Sequence, residues 1–405
     1  LTVVEAQRPV SQVEFVVLMA MLSATVAISI DAMLPALPDI AATLTPETPN
    51  AAQLVVTSFV LGMGVGTLFA GPLSDRFGRK RIIMLGSGLY ALAALACYFA
   101  PTLEVLLAAR VVQGIGAAGP RTVSIAMIRD LFKGRDMARI MSFAMMIFTA
   151  VPAIAPLMGQ GIIAIADWHA IFLAYIAFSG VTMLWLGLRQ PETLPVTARR
   201  SLRATDLVAA TRELGGHRIV LISTLLQTLT LAALFATLSS IQPIFEVVHD
   251  RGETFPRWFA AISVASMSGS ILNSRIVMSL GMRRVVRETY VAQLVLTLIT
   301  LALLGSGAVT GDVAFALQLV WCIGLFAMLG LTMGNLSALA MEPVGHIAGL
   351  VASVISSSAT VGSVLLAIPV GLAFNGTALP LLIGVAVLIG FALILTLKAL
   401  GEPRP

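Results

Sequence analysis

Two residues that are charged at neutral pH sit where charge is expensive. Asp31 lies in the stretch VAISIDAMLPALPDI, and Arg110 lies in LLAARVVQGIGAA, each deep inside a run of apolar and small residues. A charged side chain at the centre of a membrane helix costs about 2.5–3.5 kcal/mol on insertion scales, and apolar side chains would hold the helices together as well. A buried carboxylate can, however, take up and release a proton, because desolvation raises its proton affinity and a nearby cation lowers it again. Proton exchange at Asp31, tuned by Arg110, is therefore the chemistry expected here; the alternative is a fixed ion pair that locks two helices. The other acids of the apolar runs, Glu104, Glu246, Glu288, Asp312 and Glu342, fall near run ends where water is available. Glu14, at the start of the first run, is a secondary candidate for proton release, although an acid at a helix N-terminus has a simpler account in the helix dipole.

The elements that must position these residues are set by composition. Of the 405 residues 58% are hydrophobic and 11% charged, with a mean hydropathy of +0.97, whereas an ordinary soluble domain is about 25% charged. Twelve apolar runs follow one another, at roughly 14-38, 51-73, 82-100, 103-128, 138-163, 168-188, 219-246, 256-279, 286-306, 313-341, 347-374 and 378-398. Each is long enough to cross a bilayer as a helix of ~20 residues. Runs of this length, rich in Leu, Ala and Met and without ten-residue alternation, predict helices rather than a barrel. The fold class expected is an all-α polytopic membrane protein. The first run is long and is followed by further runs rather than by a cleavage site, so it is read as a span and not a signal peptide.

The formal net charge of +5 does not signal nucleic acid, because Lys and Arg cluster in short loops between runs rather than along one helix face. Arg76 to Arg81, Arg129 to Arg139, Arg189 to Arg218 and Arg283 to Arg287 fall on one side, against Arg251 and Arg257 on the other, which predicts cytoplasmic termini. Cys97 and Cys322 lie in apolar runs and read as small core residues. The histidines, His169, His217, His249 and His346, share no common partner, so neither a metal site nor an embedded enzyme is expected. No ring of like charges suggests a channel.

One long polar interval, 189-217, divides the chain into 14-188 and 218-399, six runs each. FGRKRI at 77–82 is echoed by LGMRRV at 280–285, an offset of 203 residues that a duplicated six-helix unit would give. In GPLSDRFGRKR, Gly71 and Pro72 close a helix, Gly78 permits a tight connection, and Asp75 has Arg76 and Arg79 within pairing range. The spacing resembles the loop between helices 2 and 3 of the major facilitator superfamily. Arg110 and Gln113 resemble that superfamily's R-x-x-Q-G pattern of helix 4, and Pro152, Pro156 and Gly159 resemble the fifth-helix motif of its bicyclomycin and chloramphenicol resistance exporters. DAMLPALPDIA, PETL at 191–194, QPIFEVV and SILNSRIVMSLGMRR resemble the same subgroup; Pro120, Arg121 and SSSAT at 356–360 depart from it. Gly114, Gly116 and Gly119 also spell G-x-G-x-x-G, but that fingerprint needs a preceding strand, and within a membrane helix these glycines are expected to let neighbours approach.

The resemblance implies twelve transmembrane helices in two six-helix bundles, 14-188 and 218-399, joined by a cytoplasmic linker 189-217 in a bacterial inner membrane. It implies a proton-coupled efflux transporter, a drug:proton antiporter that needs no cofactor beyond the proton gradient and works as a monomer. In that fold the first and fourth helices line one cavity, so Asp31 and Arg110, each some seven residues or ~10 Å from the outer surface, are expected to face each other. Asp75, Arg76 and Arg79 would steady one conformation, with Gly71 and Gly78 shaping the loop, and Pro152, Pro156 and Gly159 would act as a hinge. Depth selects Met145, Met146, Gln113, Gln227, Ser357 and Ser358 as substrate-binding candidates, for small hydrophobic or amphiphilic compounds such as phenicol- or bicyclomycin-like antibiotics. Asn273 and Asn335 are expected to join helices. The alternative is a proton-coupled symporter importing a small metabolite.

Overall fold

The computed structural model describes residues 10–199 and 215–399, without the side chains at 135, 138, 142, 145, 147–149 and 345–350. Residues 200–214 of the expected linker, and the side chain of Met145, lie outside the described residues.

Ser11 starts the first helix, α1 (Gln12–Asp31): its Oγ accepts from the Glu14 amide at 3.2 Å, satisfying one of the amides that a helix start leaves without a partner. A 3₁₀ turn, Leu34–Ala36, and a short α2 (Leu37–Leu44) follow, where Pro35 and Pro38 interrupt the ladder of α1. The chain continues through α3 (Leu54–Phe77), α4 (Arg79–Tyr98), α5 (Leu103–Leu131), α6 (Gly134–Ile165) and α7 (Ala170–Arg189). Beyond the linker come α8 (Arg218–Pro243), α9 (Phe255–Leu280), α10 (Met282–Gly305), α11 (Gly311–Met341), α12 (Ala348–Leu372) and α13 (Leu379–Ala399). Among the described residues there is no strand.

Nine helical segments among the described residues are long and apolar enough to cross a membrane. The runs at 103-128, 138-163 and 256-279 are not among them, although α5, α6 and α9, which contain them, are 29, 32 and 26 residues long. Length is not what they lack, since even the shortest of the three reaches about 39 Å. In α5 and α9 the apolar character is diluted, by Arg110, Gln113, Arg121 and several glycines in α5 and by six serines and Asn273 in α9, whereas the segment Ala150–Ile165 of α6 is apolar.

The chain forms two compact units. The first comprises Leu1–Ala36 with Ser58–Val208, the second Leu37–Thr57 with Ala209–Pro405. The division therefore differs from a single cut in the linker: residues 37–57, though embedded in the first half of the sequence, belong with the second unit. Asn50 shows why, its Nδ2 donating to the carbonyls of Leu372 at 3.1 Å and Phe374 at 2.6 Å.

Lipid tails are as apolar as leucine, so close packing rather than exclusion of water draws membrane helices together. Glycines supply it. In the first unit a Cβ at Gly62 would strike the carbonyl of Val111, and one at Gly114 the carbonyl of Phe59, so α3 and α5 touch backbone to backbone. Gly116 turns to the other side, where a Cβ would lie 2.5 Å from the Tyr90 amide of α4. The G-x-G-x-x-G run is thus a packing surface for two neighbours. In the second unit Gly269 of α9 meets the Ala327 carbonyl of α11 in the same manner, and Asn335 Nδ2 donates to Asn273 Oδ1 at 2.8 Å, joining those helices as expected.

Candidate functional site

Asp31 is the last residue of α1, a helix buried on nearly every side from Phe15 onward, and is itself 5% exposed. Among the described residues its carboxylate makes no hydrogen bond and no ion pair. The peptide that follows it is gripped from α6: a Cβ at Gly159 would strike the Ala32 carbonyl, so only glycine lets the backbone of α6 close over this point. Pro156, one turn earlier on α6, is buried, and Pro152 is half-buried. The fifth-helix motif and the acid therefore meet.

Arg110 is fully buried on α5, and its bonds differ from the expected ones. Nη1 donates to Gln113 Oε1 at 2.8 Å and Nη2 to the Ser29 carbonyl at 3.0 Å, while the guanidinium lies over the Phe59 ring, 4.5 Å from its centroid. No bond to Asp31 is formed. The reason is rotational: Ser29 and Asp31 are two residues apart, about 200° around a helix, and α5 is turned toward Ser29. Tyrosines extend the cluster. Ser29 Oγ donates to the Thr25 carbonyl at 2.6 Å and shares a 2.7 Å bond with the Tyr90 hydroxyl, and Tyr175 donates to the carbonyls of Ile28 and Ser29, both at 3.3 Å. Sequence reasoning missed Ser29, Tyr90 and Tyr175; the signal for Ser29 was its place two residues from Asp31, and that for the tyrosines was a hydroxyl inside an otherwise apolar run.

The loop after α3 closes on itself. Arg79 pairs with Asp75, donates to Ser74 Oγ at 2.7 Å and reaches Asp130 Oδ2 at the end of α5 at 2.9 Å. Gly78, at φ 105°, precedes α4 without a side chain to cap it. Glu192 does so from 113 residues away, accepting the amides of Arg79 at 2.8 Å and Lys80 at 3.2 Å. The same carboxylate accepts the amides of Thr193 and Leu194, tying PETL to the loop. Arg76 is exposed, its guanidinium 5.0 Å from the Phe77 ring, and Gly71 is half-buried. Glu14 is occupied as well: Arg189 holds both its oxygens, at 2.9 and 3.0 Å, and Trp185 donates to it at 3.0 Å.

The substrate-binding candidates do not converge. Gln113 is sealed against Arg110, whereas Met146 is 53% exposed. Gln227 and Ser357 are buried in the second unit, and Ser358 is exposed. Gln227 lies one turn before Thr230, which bonds the Tyr290 hydroxyl at 2.7 Å inside that unit, and the described residues leave its Nε2 without a hydrogen bond.

Comparison with known proteins places this geometry. The chain is 30% identical over 298 residues to the bicyclomycin resistance protein homolog of Haemophilus influenzae, covering 72% of this chain and 74% of that one. It is 28% identical over 382 residues to the multidrug resistance protein MdtL of Shigella flexneri, covering 93% of each. Its fold is similar to the crystal structure of a D-xylose-proton symporter, with a TM-score of 0.78 at 13% identity over 96% of this chain and 98% of the other. Residues 17–367 match the description of the Major Facilitator Superfamily. The chain is therefore an all-α, polytopic membrane transport protein that belongs to the Major Facilitator Superfamily.

Proposed function

We propose that the chain is a proton-coupled carrier of a small molecule that works by alternating access. The observation that carries this reading is Asp31, a buried carboxylate that among the described residues has no protein partner, at the point where Gly159 closes α6 over α1. A carboxylate held by Arg110 would stay ionised through a cycle. One left to itself in a low-dielectric site gains a proton when enclosed and loses it when hydrated, which is what coupling requires. Arg110 then acts as a fixed strut between α1 and α5. The arrangement in view is twelve spans in two six-helix bundles, with α5, α6 and α9 completing the set, and the Lys and Arg clusters support a cytoplasmic side for both termini in a bacterial inner membrane.

Two directions of transport fit this core. Likeness to a D-xylose-proton symporter over nearly the whole chain supports import of a small metabolite with the proton. The names of the relatives, bicyclomycin resistance and multidrug resistance, support export of small hydrophobic or amphiphilic compounds against it. Proteoliposomes decide. With candidate antibiotics and sugars loaded in turn, an imposed pH gradient drives substrate with the proton for a symporter and against it for an antiporter, and no pH-driven movement across the panel refutes proton coupling.

A further inference from the structure

A polar seam in the second unit has no evident purpose as static packing. The 3₁₀ turn Pro49–Gln53 and the start of α3 lie against the end of α12 and against Ser239 of α8 along a narrow cleft lined by Gln53, Thr57, Ser239, Ile368 and Gly371. The cleft is too narrow for a water molecule, yet two polar atoms face into this region without a hydrogen bond among the described residues, Gln53 Oε1 and Ser239 Oγ, in side chains 5% and 1% exposed. Gly371 is the socket: a Cβ there would stand 2.6 Å from Gln53 Oε1 and 3.5 Å from the Ser239 Cβ. Asn50 is the fastener, its amide donating to the carbonyls of Leu372 and Phe374, which the end of α12 leaves without helical partners.

We infer that residues 49–57 and the end of α12 form a desolvation-loaded latch, closed in this structure and opening when Gln53 and Ser239 take up water. The inference rests on the alternating-access reading, under which this is the outer end of the carrier. Closing the latch strips two polar groups of hydrogen bonds and regains two at Asn50, so closed and open forms are balanced closely enough for transport to tip them. A seam serving only to hold helices together would gain from leucine and alanine at those positions.

Spin labels at Glu47→Cys and Ala373→Cys, in a chain with Cys97 and Cys322 replaced by alanine, report the separation in nanodiscs. Gln53→Leu removes one unsatisfied group without adding bulk and is expected to raise the short-distance population relative to the long by about tenfold. Asn50→Ala and Gly371→Val are expected to move it the other way; valine is chosen because Gln53 could swing away from alanine alone. An unchanged distribution in both Gln53→Leu and Asn50→Ala, or a longer distance in Gln53→Leu, overturns the latch. The carrier reading fails separately, when the unlabelled wild-type protein shows no pH-driven transport while the distances still respond.

Discussion

The loops at Gly78 and Gly281 are built from one backbone and finished differently. Both glycines have positive φ, 105° and 79°, and both donate to the carbonyl four residues back while accepting from the amide four residues on. Around Gly78 stand Asp75, Arg79, Asp130 and Glu192, which join three helix ends and the PETL segment. At the 203-residue offset Asp75 and Arg79 become Met278 and Met282, Met278 is 91% exposed, and a Cβ at Gly281 would meet nothing within 4 Å. The interiors repeat the contrast. A hydroxyl bonds a tyrosine at 2.7 Å in each unit, Ser29 to Tyr90 and Thr230 to Tyr290, but only the first pair stands beside a buried guanidinium and a nearby carboxylate. The two units therefore share the glycine and the tyrosine, and the charges stand in the first of them.

The sharpest way to break this comparison is to exchange the loops. Arg79→Met makes the first loop like the second and leaves the half-buried Asp130 without its cation; an outright buried pair would cost 3–5 kcal/mol, and with Asp130 and Asp75 both partly exposed about 2 kcal/mol is expected. Met282→Arg should change stability by less than about 0.5 kcal/mol, and thermal unfolding in detergent compares the two. Glycine replacement comes next. Gly78→Ala and Gly281→Ala both force alanine into a left-handed backbone at about 1 kcal/mol, but alanine at 78 also drives into the Glu192 carboxylate, so the first should be the more destabilising by the same assay. Smaller still, Tyr90→Phe and Tyr290→Phe each remove a hydrogen bond of the kind that averages about 0.6 kcal/mol inside membrane proteins, and Tyr90 should be the costlier because it braces the residue that Arg110 grips.

The smallest effect separates the two loop histidines. His169 stacks on Trp168 with Asp167 Oδ1 at 3.2 Å, whereas His249 sits edge-on to Phe315 with the Arg251 guanidinium 4.5 Å from that same ring. Burial first, and Arg251 second, hold His249 below the ordinary histidine range. Its contribution to stability is therefore complete above pH of about 6.5 and fades as pH falls below it. Hydrogen exchange of residues 245–258 should quicken on acidification after correction for intrinsic rate, and His249→Gln should flatten that response.

Much of this was legible in the sequence, and the rest failed for identifiable reasons. Run length gives the helices, because a bilayer fixes how many apolar residues a span needs. Glycine spacing on α5 gives close packing, because no other side chain permits it. The partner of Arg110 was not legible: it depends on the rotation of α1 against α5, which a run of residues buried all round does not encode. Glu192 capping α4 across 113 residues is equally a product of tertiary placement. Residues 37–57 read as part of the first half because chain order is the only ordering a sequence has, while the carbonyls that Asn50 reaches lie more than 300 positions away.

The central claim is that Asp31 alone exchanges the proton and that Arg110 is structural. Proteoliposomes containing wild type and Asp31→Asn, compared for pH-driven accumulation and for one-for-one exchange of the same substrate without a gradient, test it most directly. The account predicts that the variant loses accumulation and keeps exchange. Accumulation retained at the wild-type level would contradict it.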